Sequence, residues 1–232
     1  MTELAWLSED PGLFPDVNQT LSHPNGLLAA GGDLSEERLI TAYRQGIFPW
    51  YEKGQPLLWW SPDPRCVIRP EAYSPSRSLT KLIKKTNFEI RIDANFSEVI
   101  TACQQRSRGT STWITDAMKN SYLKLHDRGI AHSFECYIEG ALSGGLYGLS
   151  IGNLFFGESM FHYVTDASKL AFAGLMAKMK NAGCPLVDCQ LPNQHLLSLG
   201  AFELPRSEFI KTLEEYIDEP GPDWTQDIVL VS

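Results

Sequence analysis

One stretch decides the fold: Gly140-Ala-Leu-Ser-Gly-Gly-Leu-Tyr-Gly-Leu-Ser-Ile-Gly-Asn-Leu-Phe-Phe-Gly-Glu-Ser-Met-Phe161. The residues on either side of Gly152-Asn153 follow a period of two, and so does the preceding segment, Ser133-Phe-Glu-Cys-Tyr-Ile138. With turn residues at Glu139-Gly140 and Gly152-Asn153, this pattern predicts three antiparallel strands joined by two hairpins.

A helix and a fourth strand follow the hairpins. Residues 166–182 carry apolar side chains at helical spacing and end before Gly183, which predicts a helix. Residues 185–191 then predict a buried strand parallel to residues 154–161, because the helix returns the chain across the sheet. The sequence therefore predicts an α/β (α+β) fold with a mixed sheet. This order resembles the Gcn5-type N-acetyltransferase (GNAT) fold, in which acyl transfer takes place where the two parallel strands splay apart.

Polar side chains mark both sides of the expected splay. Strict alternation along residues 154–161 predicts that Phe156, Glu158 and Met160 share one face of their strand. Alternation on the parallel strand places Asp188 and Gln190 on one face and turns Cys189 away from the cleft, into the core. A lone carboxylate among apolar neighbours is costly unless it is paired or functional. Two interpretations stay open: a catalytic cluster and a satisfied buried polar network.

The N-terminal part holds an aromatic cluster on loops. Trp50, Tyr51, Trp59 and Trp60 lie close together in the sequence, and the prolines among and after them exclude a regular helix. These rings either fill a domain interface or form a platform on which a nucleic-acid base stacks. We place the domain boundary here, between residues 1–65 and residues 66–232.

Composition bounds the class of protein. The 232 residues are 43% hydrophobic and 21% charged, as expected of a globular protein with a sizeable core. No apolar run approaches the roughly 20 residues that span a bilayer, so we expect a cytoplasmic protein with no membrane partner. The five cysteines form no Cys-x-x-Cys pair, which favours reduced, buried thiols. Cys184, Cys189 and His195 match no common zinc spacing, so no metal is expected.

Charge is unevenly distributed. The net charge of −8 argues against a nucleic-acid partner, yet a helix predicted after Ser76 carries a group of bases: Arg77, Lys81, Lys84 and Lys85. This group is either a local site for phosphates or an ordinary solvated helix face.

A series of short motifs, taken in order, resembles one known family. They are Gly-Gly-Asp-Leu at 31–34, Gly-Ile-Phe-Pro-Trp at 46–50, Trp-Trp-Ser-Pro-Asp-Pro-Arg at 59–65, Thr-Trp-Ile-Thr at 112–115, His-Ser-Phe-Glu at 132–135, Gly-Gly-Leu-Tyr-Gly at 144–148, Gly-Glu-Ser-Met-Phe at 157–161, Asp-Cys-Gln at 188–190 and Ser-Leu-Gly-Ala at 198–201. Together they resemble the leucyl/phenylalanyl-tRNA–protein transferases. One departure is the sequence Gly109-Thr-Ser before Thr112, where the family has a glycine directly before its Thr-Trp-Ile.

The resemblance implies an aminoacyltransferase. Such an enzyme moves leucine or phenylalanine, with methionine as a third candidate, from aminoacyl-tRNA to the N-terminal Arg or Lys of an acceptor protein. The product is then degraded by the bacterial N-end route. The resemblance also implies a small N-terminal α/β domain, residues 1–65, packed on an acetyltransferase-like catalytic domain, residues 66–232. That domain uses no coenzyme A, and no cofactor is expected. The sequence agrees, because it lacks a glycine-rich pyrophosphate loop before the long helix.

The resemblance also assigns roles to matching residues. Trp50 and Trp113 would stack on the terminal adenosine of the tRNA, and the basic helix would contact its phosphates. The remaining roles fall to an aminoacyl pocket formed by Leu146, Phe156 and Met160, and to a polar group that holds the acceptor, formed by Glu158, Asp188 and Gln190.

The three side chains of the polar group differ in what they can do chemically. A neutral amide is a very poor base, so we expect Gln190 to orient the amine and Asp188 to accept its proton, with the ribose hydroxyl of the tRNA as a possible shuttle. Two other classes of function stay open: a coenzyme A-dependent N-acetyltransferase and a non-catalytic RNA-binding module. A monomer is the default expectation.

Overall fold

The computed structural model describes residues 4–105 and 113–225. Within these ranges the chain forms eleven strands, which are β1 (Ala5–Leu7), β2 (Leu27–Gly31), β3 (Phe48–Pro49), β4 (Leu58–Trp60), β5 (Arg65–Ile68), β6 (Phe88–Ile92), β7 (Ala131–Ile138), β8 (Ala141–Ile151), β9 (Leu154–His162), β10 (Val187–Gln190) and β11 (Phe202–Leu204). The α-helices of the same ranges are α1 (Glu36–Arg44), α2 (Arg77–Lys85), α3 (Phe96–Gln105), α4 (Asp116–Asp127), α5 (Ala167–Asn181), α6 (Gln194–Ser198) and α7 (Arg206–Tyr216).

The strands form two sheets. The smaller has the order β1-β2-β4-β3, and the larger has the order β11-β5-β10-β9-β8-β7-β6. In the larger sheet β7, β8 and β9 are the three antiparallel strands joined by two hairpins that the sequence predicts, and β6 pairs antiparallel with β7. The chain then crosses over through α5 so that β10 lies parallel to β9, which confirms the predicted mixed sheet. The change from one sheet to the other falls between Trp60 and Arg65; the division into two domains at residue 65 stays a prediction.

Helix starts follow capping chemistry. The side chains of Ser35, Ser76 and Thr115 each accept a hydrogen bond from a backbone N–H in the first turn of α1, α2 and α4, which satisfies a group that the helix itself leaves unpaired. Helix α7 was not predicted, because its sequence lies in an acidic run. It forms because Phe209 and Leu213 are buried on one side of it.

Helices and the smaller sheet cover the larger sheet on opposite faces. One hydrophobic cluster joins α5 and α2 to the larger sheet. The other joins the larger sheet to α1, α3, α4 and the smaller sheet, so Trp59 and Phe156 belong to the same cluster. The two sheets therefore share a hydrophobic core.

Two bulges correct the predicted side-chain directions. In the β8–β9 ladder Tyr147 pairs with Ser159 and the next pair is Gly148 with Gly157, so Glu158 is an extra residue. A bulge reverses the alternation: Phe156 packs in the cluster that contains Trp59, whereas Met160 packs against the cluster on the α5 side. The prediction that Phe156, Glu158 and Met160 share one face was therefore wrong.

The second bulge lies on the neighbouring strand, β10. Val67 of β5 pairs with Asp188 and Cys66 pairs with Gln190, which leaves Cys189 as the extra residue of β10. Gln190 has a backbone φ of 64°, in the left-handed region that few residues other than glycine adopt. The ladder between β9 and β10 is short, with Val187 opposite Phe155 and Asp188 opposite Phe156. Beyond these pairs the two strands border a cavity.

Candidate active site

A cavity of about 530 Å³ opens where the β9–β10 ladder ends. It is bordered by the β3 region, by the middle of β8 and the second half of β9, by α5, and by β10 with the loop and helix that follow it. The sequence-predicted residues that line it are Trp50, Trp113, Leu146, Glu158, Met160 and Gln190. Phe156 and Asp188 lie outside the lining, and Cys189, predicted to face the core, is part of it.

Glu158 is the centre of a hydrogen-bond network on the cavity wall. Its Oε1 atom lies 2.7 Å from the Tyr43 hydroxyl and 2.9 Å from Nε2 of Gln190, and its Oε2 atom lies 2.9 Å from the Tyr122 hydroxyl. The two tyrosine oxygens are 2.6 Å apart. Both tyrosines are fully buried on helices α1 and α4, so the carboxyl group is held by two different helices.

Counting protons shows which form of Glu158 this network favours. The carboxyl group and the two tyrosines make three mutual contacts, but the tyrosines supply only two protons. With the carboxylate ionised, both tyrosines donate to Glu158 and neither can donate to the other. A proton on Oε2 would complete a ring instead, in which Glu158 donates to Tyr122, Tyr122 donates to Tyr43, and Tyr43 donates to Oε1. Burial independently raises the pKa of Glu158 to about 8, despite the hydrogen bonds that lower it. Burial therefore favours the neutral form of the Glu158 carboxyl group near neutral pH.

Asp188 is committed to a different partner. Its Oδ1 atom accepts from Nε of Arg65 at 2.8 Å and its Oδ2 atom accepts from a terminal guanidinium nitrogen at 2.7 Å. Both side chains are buried, and the guanidinium lies over the rings of Phe48 and Phe209. Arg65 also donates to the carbonyl of Gly46 at 2.9 Å. With its charge paired and its atoms outside the cavity, Asp188 is not placed to take a proton from a substrate, contrary to the sequence-based prediction.

Asp188 instead fixes Gln190. Its Oδ1 atom accepts the backbone N–H of Gln190 at 2.9 Å, which supports the left-handed conformation of that residue. The Gln190 side chain then reaches Glu158. A continuous chain of contacts therefore joins Arg65 to the cavity through Asp188 and Gln190.

An apolar wall lies beside this polar group. Leu146 and Met160 are opposite each other in the β8–β9 ladder. The sequence did not predict their neighbours in the cavity, Phe172 and Leu175 of α5. Phe156, predicted to belong to this wall, packs edge-on against Tyr43 at 5.4 Å between ring centroids. The bulge at Glu158 directs it behind the polar group.

Two tryptophans border the other side. Trp50 is 38% exposed and packs edge-on against Trp60, whose Nε1 donates to the backbone carbonyl of Trp50 at 2.7 Å. Trp113 lines the same cavity. The loops that carry the two rings are joined by a 2.9 Å hydrogen bond between the hydroxyls of Tyr51 and Thr115. The departure at Gly109-Thr-Ser lies outside the described residues.

The basic residues of α2 are exposed and border the outside of the molecule rather than the cavity. Helix α2 packs against α5, whose other residues form part of the cavity wall. Within residues 4–105 and 113–225 no group of three His, Cys, Asp or Glu side chains is placed to hold a metal ion. No helix in those ranges is long and apolar enough to cross a membrane.

Comparison with known proteins assigns the family. The model described as "Leucyl/phenylalanyl-tRNA protein transferase" matches residues 67–214, and the model of the N-terminal domain of that family matches residues 32–63. The leucyl/phenylalanyl-tRNA–protein transferase of Pseudomonas putida is 52% identical over 219 residues, which are 94% of this chain and 97% of that protein. The chain belongs to the leucyl/phenylalanyl-tRNA–protein transferase family.

Another curated member and two solved structures complete the comparison. The leucyl/phenylalanyl-tRNA–protein transferase of Chromobacterium violaceum is 51% identical over 221 residues, covering 95% of this chain and 94% of that protein. FemX aligns with a TM-score of 0.45 at 11% identity, over 73% of this chain and 66% of FemX. L-PGS from Bacillus licheniformis aligns with a TM-score of 0.42 at 9% identity, over 72% of this chain and 53% of L-PGS. At these scores the two likenesses do not define the fold.

Three important residues of this leucyl/phenylalanyl-tRNA–protein transferase family member were not predicted as part of the site. They are Tyr43, Tyr122 and Arg65, of which only Arg65 belongs to one of the quoted motifs. A tyrosine on a buried helix face needs a hydrogen-bond partner for its hydroxyl, and this need is the signal that could have led from the tyrosines to Glu158.

Glu158→Gln should remove a pH dependence of stability. The native state keeps its proton up to about pH 8, whereas the unfolded chain loses it near 4.5. Between these values the native state binds more protons, so the free energy of unfolding falls as pH rises, by up to about 1.4 kcal/mol per pH unit. Urea unfolding between about pH 5 and 9 measures this slope, which the variant lacks. Glu214→Gln, an exposed change on α7, should keep it; equal slopes in wild type and Glu158→Gln contradict the assignment.

Arg65→Met should destabilise the protein by about 3–5 kcal/mol, because it leaves the buried Asp188 carboxylate without a counter-charge. Adding Asp188→Asn should recover part of this loss, since the unpaired charge is then removed. Arg91→Met, which breaks an exposed ion pair with Glu89, should cost about 0–1 kcal/mol. Urea denaturation of Arg65→Met, Asp188→Asn, the double variant and Arg91→Met measures these values. If the losses from Arg65→Met and Asp188→Asn simply add in the double variant, the pair is not coupled.

Proposed function

We propose that this protein transfers leucine or phenylalanine from aminoacyl-tRNA to the α-amino group of an N-terminal Arg or Lys. The observation that carries the proposal is that one cavity combines an apolar wall, a carboxyl group with a pKa about 8 and two tryptophans. Each part fits one portion of the two substrates. The tagged product is a substrate for N-end degradation, and the protein acts in the cytoplasm as a monomer without a cofactor.

The catalytic domain has an acetyltransferase-like arrangement in this proposal. The antiparallel strands β6–β9, the crossover through α5 and the parallel strand β10 support it. So does the position of the cavity, which begins where the β9–β10 ladder stops. In the proposed division, residues 1–65 contribute Phe48, Pro49 and Trp50 to a cavity that residues 66–232 otherwise form.

The aminoacyl side chain enters the apolar part of the cavity. Leu146, Met160, Phe172 and Leu175 surround that part. Methionine is unbranched and polarizable, so its side chain can repack against ligands of different shape. This adaptability suits a pocket that accepts both a branched aliphatic side chain and an aromatic ring, and methionine is a third candidate for the same pocket.

Glu158 and Gln190 receive the acceptor amine. The α-amine of a peptide has an ordinary pKa of about 7.7–8.0, which matches the pKa of about 8 of Glu158. Because the two pKa values match, a fraction of Glu158 is ionised near neutral pH, and this carboxylate can take the proton from the ammonium group. Gln190 offers its amide oxygen to the amine, since its Nε2 is already bound to Glu158. Asp188 acts indirectly, by holding Gln190 in position.

The transfer needs little further activation. The amine nitrogen attacks the ester carbonyl carbon, the new C–N bond forms, and the bond from that carbon to the ribose oxygen breaks. The ribose oxygen then takes up a proton. Because the aminoacyl ester is already reactive, the main contribution of the protein is to hold amine and ester in contact.

The tRNA is held at its end and along its acceptor stem. Trp50 and Trp113 provide π-faces for the terminal adenosine, a contact that every base can make. The exposed bases Arg77, Lys81, Lys84 and Lys85 form a positive face on α2, suited to phosphates irrespective of sequence. Binding through this face should weaken as salt is added.

A transfer assay tests the proposed function against both alternatives. The protein is incubated with an Arg-initiated peptide and labelled Leu-tRNA or Phe-tRNA, and separately with labelled acetyl-coenzyme A. We expect the peptide to be labelled only when an aminoacyl-tRNA is the donor. An Arg-initiated peptide should be labelled more than the same peptide with an acetylated N-terminus. Label transferred only from acetyl-coenzyme A would support the acetyltransferase alternative, and tRNA binding without transfer from either donor would support the RNA-binding module.

Trp50→Ala should raise the KM for aminoacyl-tRNA by roughly 5- to 150-fold, the equivalent of losing about 1–3 kcal/mol of base stacking. Trp6→Ala is the matched control, because Trp6 is 71% exposed and lies outside the cavity lining. Initial rates at varied aminoacyl-tRNA concentration measure the effect. An equal KM for the two variants would remove Trp50 from the adenosine site.

A further inference from the structure

Two cysteines meet at the bulge beside Gln190. Cys66 of β5 pairs with Gln190 in the ladder, and Cys189 is the extra residue that the bulge of β10 inserts next to it. At such a bulge two residues of one strand oppose one residue of the other, so Cys66 faces both Cys189 and Gln190. Residues directly opposite in an antiparallel pair have Cα atoms about 4.5–5.5 Å apart. Cys189 adjoins the residue opposite Cys66, and a disulfide bridges Cα separations of about 4.4–6.8 Å.

The two side chains point to the same side of the sheet. Cys66 belongs to the hydrophobic cluster on the α5 side, and Cys189 packs against that cluster. Their thiols hydrogen bond to each other, and this contact lowers the pKa of Cys66 and raises the pKa of Cys189. Backbone and side-chain geometry therefore agree on a close thiol pair.

Only one member of the pair is accessible. Cys189 lines the cavity, whereas Cys66 is completely buried behind it. The other three cysteines, Cys103, Cys136 and Cys184, are buried and lie outside the cavity lining. A small oxidant that enters the cavity thus meets Cys189 first, with Cys66 as its nearest thiol partner.

We propose that Cys66 and Cys189 form a reversible disulfide on exposure to a hydroperoxide, and that this disulfide stops aminoacyl transfer. The inhibitory part rests on the proposed function; formation of the disulfide does not. The pair is a modification site on the cavity wall, distinct in its chemistry from the acyl transfer carried out beside it.

The chemistry balances in two steps. Because the pKa of Cys189 is raised, only a small fraction of it is thiolate. That thiolate attacks one oxygen of the hydroperoxide, and the O–O bond breaks to give a sulfenic acid and water or an alcohol. The Cys66 thiolate then attacks the Cys189 sulfur, which forms the S–S bond and releases hydroxide that becomes water. Both sulfurs are oxidised by one electron each and the hydroperoxide is reduced by two. A dithiol restores the two thiols by exchange.

The consequence for the site follows from the position of Cys189. It lies between Asp188, which is fixed by Arg65, and Gln190, which contacts Glu158. An S–S bond is only about 2.05 Å long, so closing it draws the bulge toward β5 and moves Gln190. A displacement of about 1 Å at a reacting centre can cost about 100-fold in rate.

Hydrogen peroxide treatment of the purified full-length protein tests the proposal. Free thiols are then blocked, and the protein is digested with trypsin without reduction. We expect a cross-linked pair of peptides, residues 66–77 and 181–206, with a mass two hydrogens below the sum of the reduced peptides. Because residues 181–206 contain both Cys184 and Cys189, the cross-link should persist in Cys184→Ala and be absent from Cys189→Ala.

Activity is measured on the same samples. Oxidised wild type should lose about 100-fold in transfer rate and regain it with dithiothreitol. Cys66→Ala cannot form the cross-link, so its transfer rate should not show this loss and recovery. Absence of the 66–77/181–206 cross-link overturns the proposal, and a cross-linked protein with full activity overturns its inhibitory part. A reduced wild type that never transfers amino acids refutes the proposed function instead, while the peptide masses still decide whether the disulfide forms.

Discussion

The buried ion pair between Arg65 and Asp188 is the constraint on which the site depends. Arg65 joins three parts of the chain, because its guanidinium holds Asp188 on β10, the Gly46 carbonyl after α1 and the rings of Phe48 and Phe209. A buried pair of this kind adds little net stability compared with a hydrophobic replacement. Its contribution is geometric: it fixes the orientation of β10 relative to the smaller sheet, and with it the position of Gln190.

Two bulges on neighbouring strands set the directions of the side chains at the candidate site. The extra residue on β9 is Glu158 and the extra residue on β10 is Cys189. Without the first bulge, continued alternation would place Met160 on the same face as Phe156, away from the α5 side. The bulges therefore allow one strand to present a polar group beside an apolar wall. Sheets use bulges in this way to redirect side chains next to functional sites.

The sequence predicted the elements better than the directions of their side chains. The meander, the long helix and the parallel strand followed from local periodicity and turn residues, which do not require a tertiary partner. The face of Phe156 and the exposure of Cys189 did not follow, because a bulge depends on the register between strands. The sequence also did not indicate the hydrogen-bond partners of Glu158. Tyr43 and Tyr122 come from helices distant in sequence, and an amphipathic pattern does not distinguish a tyrosine that fills space from one that positions a carboxyl group.

Charge balance limits where an acceptor can place its own cations. Among the described residues that line the cavity, Glu158 is the only carboxyl group, and the charge of Asp188 is already paired with Arg65. An N-terminal Arg or Lys brings two positive charges, on its α-ammonium and on its side chain. Once Glu158 has taken the proton of the ammonium it is neutral and can no longer offset the second charge. Burying an unpaired cation costs several kcal/mol, so in the proposed reaction the cationic side chain stays at the water-filled mouth of the cavity while the amine goes in.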